Sequence, residues 1–270
     1  MKQLANCLSL VLFGSAAIAA GCSTTNSTPP ADGSTGAGGS SANLHLLPVG
    51  PTGYVSDVDG TPNTGIKGAW YAYGDGIGSD GTTATGDCEA KGAHAVSECS
   101  SITAPTFGSF PNTAGKMCTS GMVAKIINIV GMTTPDYNEI WGAGVGVDLN
   151  NAGGDAGAVK GTYDATAAGV IGVAFDIDAV PLATLRVEFP NATATNAAFW
   201  GGDQQSSPVK VGHNEIKWTD VKGPFYDTAA PVFNPKNIYS IQFHVPTSAT
   251  AAASYNFCIS NLSAILAAAP

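Results

Sequence analysis

Basic residues are scarce in this sequence, helical periodicity is scarcer, and no apolar run reaches the length of a membrane span. The 270 residues carry 11 Lys and Arg against 20 Asp and Glu, a formal charge of −9, and no cluster of Lys and Arg interrupts the acidic balance. A chain of that sign repels phosphate backbones and anionic lipid headgroups, which argues against nucleic acid as a partner. A spanning helix needs about 20 apolar residues; the apolar stretch from Leu8 to Ala20 is shorter and ends in small residues. Gly-x-Ser-x-Gly elbows, His-Glu-x-x-His helices and phosphate-binding loops are all missing, so the chemistries they carry have no foothold. The alternating Gly142, Gly144 and Gly146 lack the strand-turn-helix setting of a dinucleotide site. The longest helical candidate, Ser120 to Val130, is so rich in β-branched residues that a strand is at least as good a reading. Beyond Thr52 there is neither an internal repeat nor a second linker, which fits one large domain over residues 53–270 that needs no oligomer to bury its core.

What the chain has instead is alternation. In Gly169 to Pro190, Ile171, Val173, Phe175 and Ile177 fall on one face, with Gly172, Ala174, Asp176 and Asp178 on the other. Leu185, Val187 and Phe189 continue the apolar face, opposite Arg186 and Glu188, so the stretch reads as two neighbouring strands, greasy on one side and polar on the other. The same division recurs in Trp141 to Leu149, with Trp141 on the core face and the alternating glycines opposite, and in Tyr239 to Val245, where Gln242 and His244 take the polar side. Further strand-like runs lie at 69–73, 122–130, 215–218 and 255–262, many divided by Gly, Pro and Asn. The expected fold is all-β: a jelly-roll β-sandwich.

At the N-terminus, the short apolar stretch followed by Ala19-Ala20-Gly21-Cys22 resembles the lipobox of bacterial lipoproteins. That resemblance implies a signal peptide over 1–21, lipidation of Cys22 and anchoring to a membrane without a spanning helix. Ser23 after the modified cysteine fits, by the same resemblance, an outer-membrane or cell-surface location. Residues 22–52 are Ser, Thr, Gly, Pro and Ala until Leu44, a composition that reads as a flexible tether. Loss of the signal would leave 10 basic and 20 acidic residues. Cys88, Cys99, Cys118 and Cys258 remain, an even number in an exported chain, and two disulfides in any of three connectivities follow. The favoured pairing joins Cys88 to Cys99 across a Gly-rich loop and Cys118 to Cys258 between distant strands; the competing reading recruits Cys88, His94 and Cys99 to zinc. No cofactor is called for, but Asp148 to Asp155 and Asp75 to Asp80 offer oxygen ligands for a structural Ca²⁺.

The succession Trp70-Tyr71-Ala72-Tyr73-Gly74-Asp75, Ala174-Phe175-Asp176-Ile177-Asp178, Leu185-Arg186-Val187-Glu188-Phe189-Pro190, Ile216-Lys217-Trp218, Ser240-Ile241-Gln242-Phe243-His244-Val245 and Tyr255 to Leu262 resembles the galactose-binding-like jelly rolls, among them many carbohydrate-binding modules. The resemblance implies a sandwich that binds sugars through a concave sheet face or through loops at one end. Its closing strand usually carries Phe-x-Ile-Asp-Asn, where this chain has Ser260-Asn261.

Sugar binding needs flat apolar planes for the ring faces and polar groups for the hydroxyls. Arg186, Glu188, Gln242, His244 and Asp176 are the polar candidates, and Trp70, Tyr71, Tyr73 and Trp200 the stacking ones; Trp141 and Trp218 read as core. Glycines at alternating positions suggest a close approach to the backbone, by a ligand or by a segment lying across that face. The expectation is a lipid-anchored, non-catalytic carbohydrate-binding module. A structural or protein-binding envelope lipoprotein and a jelly-roll glycosidase are the alternatives, the last resting on Asp176 and Asp178 roughly 6–7 Å apart along one strand face.

Overall fold

Period-two patterning becomes strands, and their greasy faces meet. The computed structural model describes residues 43–76, 88, 94–104, 116–151, 160–179, 185–191, 203–206, 209–223 and 232–268. In chain order the strands are β1 (Asn43–Leu46), β2 (Val55–Asp57), β3 (Ile66–Gly68), β4 (Trp70–Gly74), β5 (Ser101–Ala104), β6 (Lys116–Val123), β7 (Gly142–Asp148), β8 (Val170–Ile177), β9 (Arg186–Pro190), β10 (Asp203–Ser206), β11 (Gly212–Lys217), β12 (Ser240–Pro246) and β13 (Ala253–Leu266). One sheet runs β11-β8-β13-β6-β5 with β1 added to β13, the other runs β10-β9-β12-β7-β4, and β2 and β3 form a small ribbon. All pairings between these strands are antiparallel. The result is a jelly-roll β-sandwich. Among the described residues no helix is long and apolar enough to cross a membrane.

The two sheets bury one core between them. Phe175 on β8 meets Phe243 on β12 edge to face at 5.0 Å, and Phe189 on β9 meets Trp218 at 5.3 Å. Each fully buried aromatic of this kind contributes about 1.5–3 kcal/mol. Trp218 also donates its indole N–H to the Val170 carbonyl at 2.9 Å, as a buried indole requires.

Three expectations about the strands change. β8 and β9 are consecutive but lie in opposite sheets. Alternation cannot separate neighbours in one sheet from strands facing each other across a core, and the joining residues lack the Asn-Gly or Asp-Gly pair that marks a tight hairpin. Ile171, expected in the core, is 40% exposed while Val170 is buried. The cause is a register irregularity opposite β13, where Ile265 pairs with Gly172 and Leu266 with Val170, so that Ile171 is passed over. Finally, β1 lies inside the expected tether and pairs with β13 from Asn43↔Leu266 to Leu46↔Ser263. His45 fixes it to the ribbon through the Asp57 carboxylate at 2.9 and 3.0 Å, and Asp57 also accepts the Thr64 N–H and hydroxyl at 2.8 and 2.6 Å. Burial pushes the Asp57 carboxyl up, but these donors outweigh it and hold it below its ordinary range.

Both disulfides take the favoured pairing, Cys88 with Cys99 and Cys118 with Cys258, the latter directly opposed on β6 and β13. The thiols of the zinc alternative are thereby consumed.

Candidate functional site

Register across the second sheet assembles two rows of side chains on its outer face. Tyr71 on β4 stands against Gly146 on β7, then Gln242 on β12 and Glu188 on β9. The next row holds Tyr73, Gly144, His244 and Arg186. The sequence-predicted Arg186, Glu188, Gln242, His244 and Tyr73 therefore do share one face of one sheet.

The glycines are explained by what lies over them. A Cβ on Gly146 would sit 2.5 Å from the Tyr71 ring, and one on Gly144 would sit 2.1 Å from the Phe243 carbonyl and 3.0 Å from the Tyr73 hydroxyl. The tyrosines of β4 lean across β7, and only glycine leaves room for them. The chain's own aromatics make the close approach that the alternating glycines suggested.

Beneath the rings the polar groups are bonded to one another. Gln242 Nε2 donates to the Tyr71 hydroxyl at 2.9 Å, and that hydroxyl donates to Ser240 Oγ at 3.0 Å. His244 Nδ1 lies 2.9 Å from Glu188 Oε1, and its Nε2 lies 3.1 Å from the Trp141 carbonyl. Glu188, Gln242 and His244 are 2%, 7% and 8% exposed, so they underlie the face rather than form its surface. Satisfied buried networks of this kind fix the positions of the groups above them.

The surface is aromatic. Tyr71, Tyr73 and Trp141 are each half-buried. Tyr71 and Tyr73 lie 5.9 Å apart between ring centroids, Trp141 stacks on Tyr73 at 6.0 Å with a 21° interplanar angle, and His244 meets Trp141 edge-on at 5.8 Å. Lys160 caps the Tyr71 end of the row, its Nζ over the ring at 3.7 Å from the centroid and 3.0 Å from Asp148 Oδ1. Burial pulls the Lys160 ammonium down, and Tyr71 and Asp148 more than restore it. Burial likewise pushes the Tyr71 phenol up, and it pushes the Asp148 carboxyl up despite Lys160.

Four sequence expectations are corrected here. Asp176 stands on β8 in the other sheet, where its carboxylate is held by His213 Nδ1 at 2.8 Å and by the Asn261 amide at 2.6 Å. Asp178, its proposed catalytic companion, pairs with Lys116 Nζ at 2.6 Å. Trp70 is buried in the core and stacks on Phe243 at 6.1 Å, because residues alternating with Tyr71 and Tyr73 must face the other way. Trp141, assigned to the core, joins the outer face instead. Gly142 next to it adopts φ +130°, which breaks the alternation between Trp141 and Ala143. Trp200 and Cys22 lie outside the described residues. Of the two loops offered for calcium, Asp75 accepts four N–H and O–H donors and Asp148 pairs with Lys160; the other acids of those loops lie outside the described residues.

No protein-family profile and no curated protein matches this chain. Among solved structures, a family 11 carbohydrate-binding module from Clostridium thermocellum, solved in complex with a β-1,3-1,4-mixed-linked tetrasaccharide, is 16% identical over 79% of this chain and 95% of its own, with a TM-score of 0.39. The family 11 module of a Clostridium thermocellum cellulosomal cellulase is 15% identical over 84% and 97%, with a TM-score of 0.36. The second N-terminal cellulose-binding domain of Cellulomonas fimi β-1,4-glucanase C is 16% identical over 84% and 96%, with a TM-score of 0.33. Overlaps this loose carry no residue from one chain to another.

Proposed function

We propose that this protein is a non-catalytic carbohydrate-binding module whose Tyr71–Tyr73–Trp141 row receives a neutral glycan chain. The observation that carries this reading is a contiguous strip of half-buried aromatic rings supported by a hydrogen-bonded polar layer. Pyranose rings offer flat C–H faces to such planes and hydroxyls to the donors and acceptors at their edges, and rings that are locked before binding lose little entropy on contact. The acidic balance of the chain disfavours polyanionic glycans. Arg186 stands on the same sheet face in the register of His244 and Tyr73, and brings a guanidinium that can donate to sugar hydroxyls. The Ala19-Ala20-Gly21-Cys22 junction and the polar segment after it support display of the module from a lipid anchor at the bacterial cell surface.

Affinity electrophoresis and calorimetry against neutral plant, fungal and bacterial polysaccharides test the reading. Retention by at least one polysaccharide is expected, weakened about tenfold or more by Tyr73→Ala and by Trp141→Ala. Tyr73→Phe keeps the ring and is expected to keep most of the affinity. Indifference to every polysaccharide, or full affinity in a Tyr71→Ala/Tyr73→Ala double variant that folds normally, rejects it.

A further inference from the structure

Away from the aromatic row, one imidazole and two carboxylates converge in a nearly dry place. His94 Nε2 lies 3.3 Å from Asp136 Oδ2 and 3.7 Å from Glu139 Oε2, and the three atoms all lie within 4.8 Å of one another. Their side chains are 2%, 7% and 13% exposed. His94 lies inside the loop closed by the Cys88–Cys99 disulfide. Asp136 and Glu139 stand on a single turn held by the Ile140 N–H on the Asp136 carbonyl at 2.9 Å and by the Asp136 N–H on the Ile127 carbonyl at 2.8 Å. A small apolar core of Cys88, Ala124 and Ile140, with Cys99, Ile126 and Ile127 against it, packs beside both segments.

We propose that His94, Asp136 and Glu139 form a structural site for a first-row divalent cation, with zinc as its best-matched occupant. Ligand atoms about 2.0–2.2 Å from a tetrahedral ion stand about 3.3–3.6 Å from one another. The two histidine–carboxylate separations are 3.3 and 3.7 Å, close to that spacing and longer than a good charge-assisted hydrogen bond. One imidazole and two carboxylates suit a borderline ion, whereas calcium and magnesium prefer sets made wholly of oxygen. An imidazole adds at most one positive charge to two carboxylates, and a divalent ion with neutral imidazole balances them. The fourth position falls to water. Bound there, the ion ties the disulfide loop to the turn that leads into β7, adding a metal crosslink to the His94–Asp136 contact and the apolar packing beside it.

Tag-free full-length protein, stripped with chelator and dialysed, is titrated with zinc chloride and, separately, with cobalt(II) chloride. The expected result is saturation at one ion per chain, a higher melting temperature with zinc, and the visible absorption of tetrahedral cobalt. Glu139→Gln, at the least buried ligand, and His94→Ala are expected to weaken zinc uptake no less than about tenfold, the least that loss of even an outer-shell partner costs a zinc site. His213→Ala, which removes the exposed histidine beside Asp176 and Glu215, is expected to leave uptake unchanged. Absence of saturable uptake by the stripped protein overturns the proposal, as does uptake that survives in both Glu139→Gln and His94→Ala. Uptake abolished by His213→Ala also overturns it, because the ion then sits beside Asp176 and Glu215. None of these readouts involves a glycan.

Discussion

Asp75 and Gly142 are hydrogen-bonded to each other twice: the Asp75 N–H donates to the Gly142 carbonyl at 2.9 Å, and Asp75 Oδ2 accepts the Gly142 N–H at 2.7 Å. The same oxygen accepts the Trp141 N–H at 2.9 Å, while Ser100 supplies its N–H and hydroxyl at 2.6 and 2.9 Å. A fully buried carboxylate thus holds the backbone at the point where φ turns positive and Trp141 crosses to the outer face. Burial pushes the Asp75 carboxyl up, and the four donors pull against it. Asp75→Ala strands those donors, at roughly 1–3 kcal/mol for a buried group left unpaired, and is expected to cost no less than about 3 kcal/mol. Asp75→Asn keeps one acceptor oxygen and costs less. Urea unfolding measures both, and near-UV circular dichroism reports the Trp141 environment; an Asp75→Ala protein as stable as wild type refutes the assignment.

Gly144 and Gly146 look equivalent in the sequence but differ in what surrounds them. A methyl on Gly144 meets the Phe243 carbonyl at 2.1 Å, a backbone atom that cannot move without disturbing β12. A methyl on Gly146 meets the far end of the Tyr71 side chain at 2.5 Å, which can swing away. Gly144→Ala is therefore expected to destabilise the fold by about 2 kcal/mol or more. Gly146→Ala is expected to cost less stability and to weaken glycan retention by displacing Tyr71. Melting temperatures and affinity electrophoresis of the two variants separate these effects, and the reverse ranking in stability counts against the packing described.

How much of this was legible beforehand depends on parity. Gln242 and His244 alternate with Ile241, Phe243 and Val245, so their common face follows from the strand period alone, and so does the face shared by Arg186 and Glu188. The same rule places Tyr71 and Tyr73 together and Trp70 opposite, in the core against Phe243 and away from the stacking face. Trp141 was hidden for a different reason: one positive φ at Gly142 reverses the parity, and a glycine among several glycines does not announce its dihedral. Ile171 was hidden by the irregular pairing with β13. Which sheet each strand joins is a long-range property that no local pattern encodes, and it separates Asp176 from Glu188. Asn43–Leu46 is too short and too close to the polar segment to stand out as a strand, and only its pairing with β13 defines it.

The two disulfides should contribute unequally. Cys118 and Cys258 are 140 residues apart in sequence, Cys88 and Cys99 only 11. Chain-entropy arguments give about 5 kcal/mol for the longer closure and about 3 kcal/mol for the shorter, with measured values commonly smaller. The Cys118→Ala/Cys258→Ala double variant is expected to lose more stability in guanidinium unfolding than Cys88→Ala/Cys99→Ala. An equal or inverted loss would mean that local packing around Cys88, which is fully buried, outweighs loop closure.

On the opposite sheet, His213 sits between two carboxylates, with Nδ1 2.8 Å from Asp176 Oδ1 and Nε2 3.3 Å from Glu215 Oε1. The hydrogen bond to Asp176 raises the imidazole above its ordinary 6.5, and the Asn261 amide, followed by His213, holds the Asp176 carboxyl below its ordinary 3.8. A raised histidine contributes stability that is complete below 6.5 and is lost as pH climbs through its folded-state value. A lowered aspartate contributes stability that is complete above 3.8 and is lost as pH falls through its folded-state value. The pair therefore stabilises the fold most between 3.8 and 6.5. Because His213 is half-exposed, solvent screening keeps the effect under about 1 kcal/mol. The difference in unfolding midpoint between wild type and His213→Ala, followed from acid to alkaline pH, is expected to peak in that window and shrink on both sides. A difference that stays constant across the range would show that His213 acts through packing, with no part played by its charge.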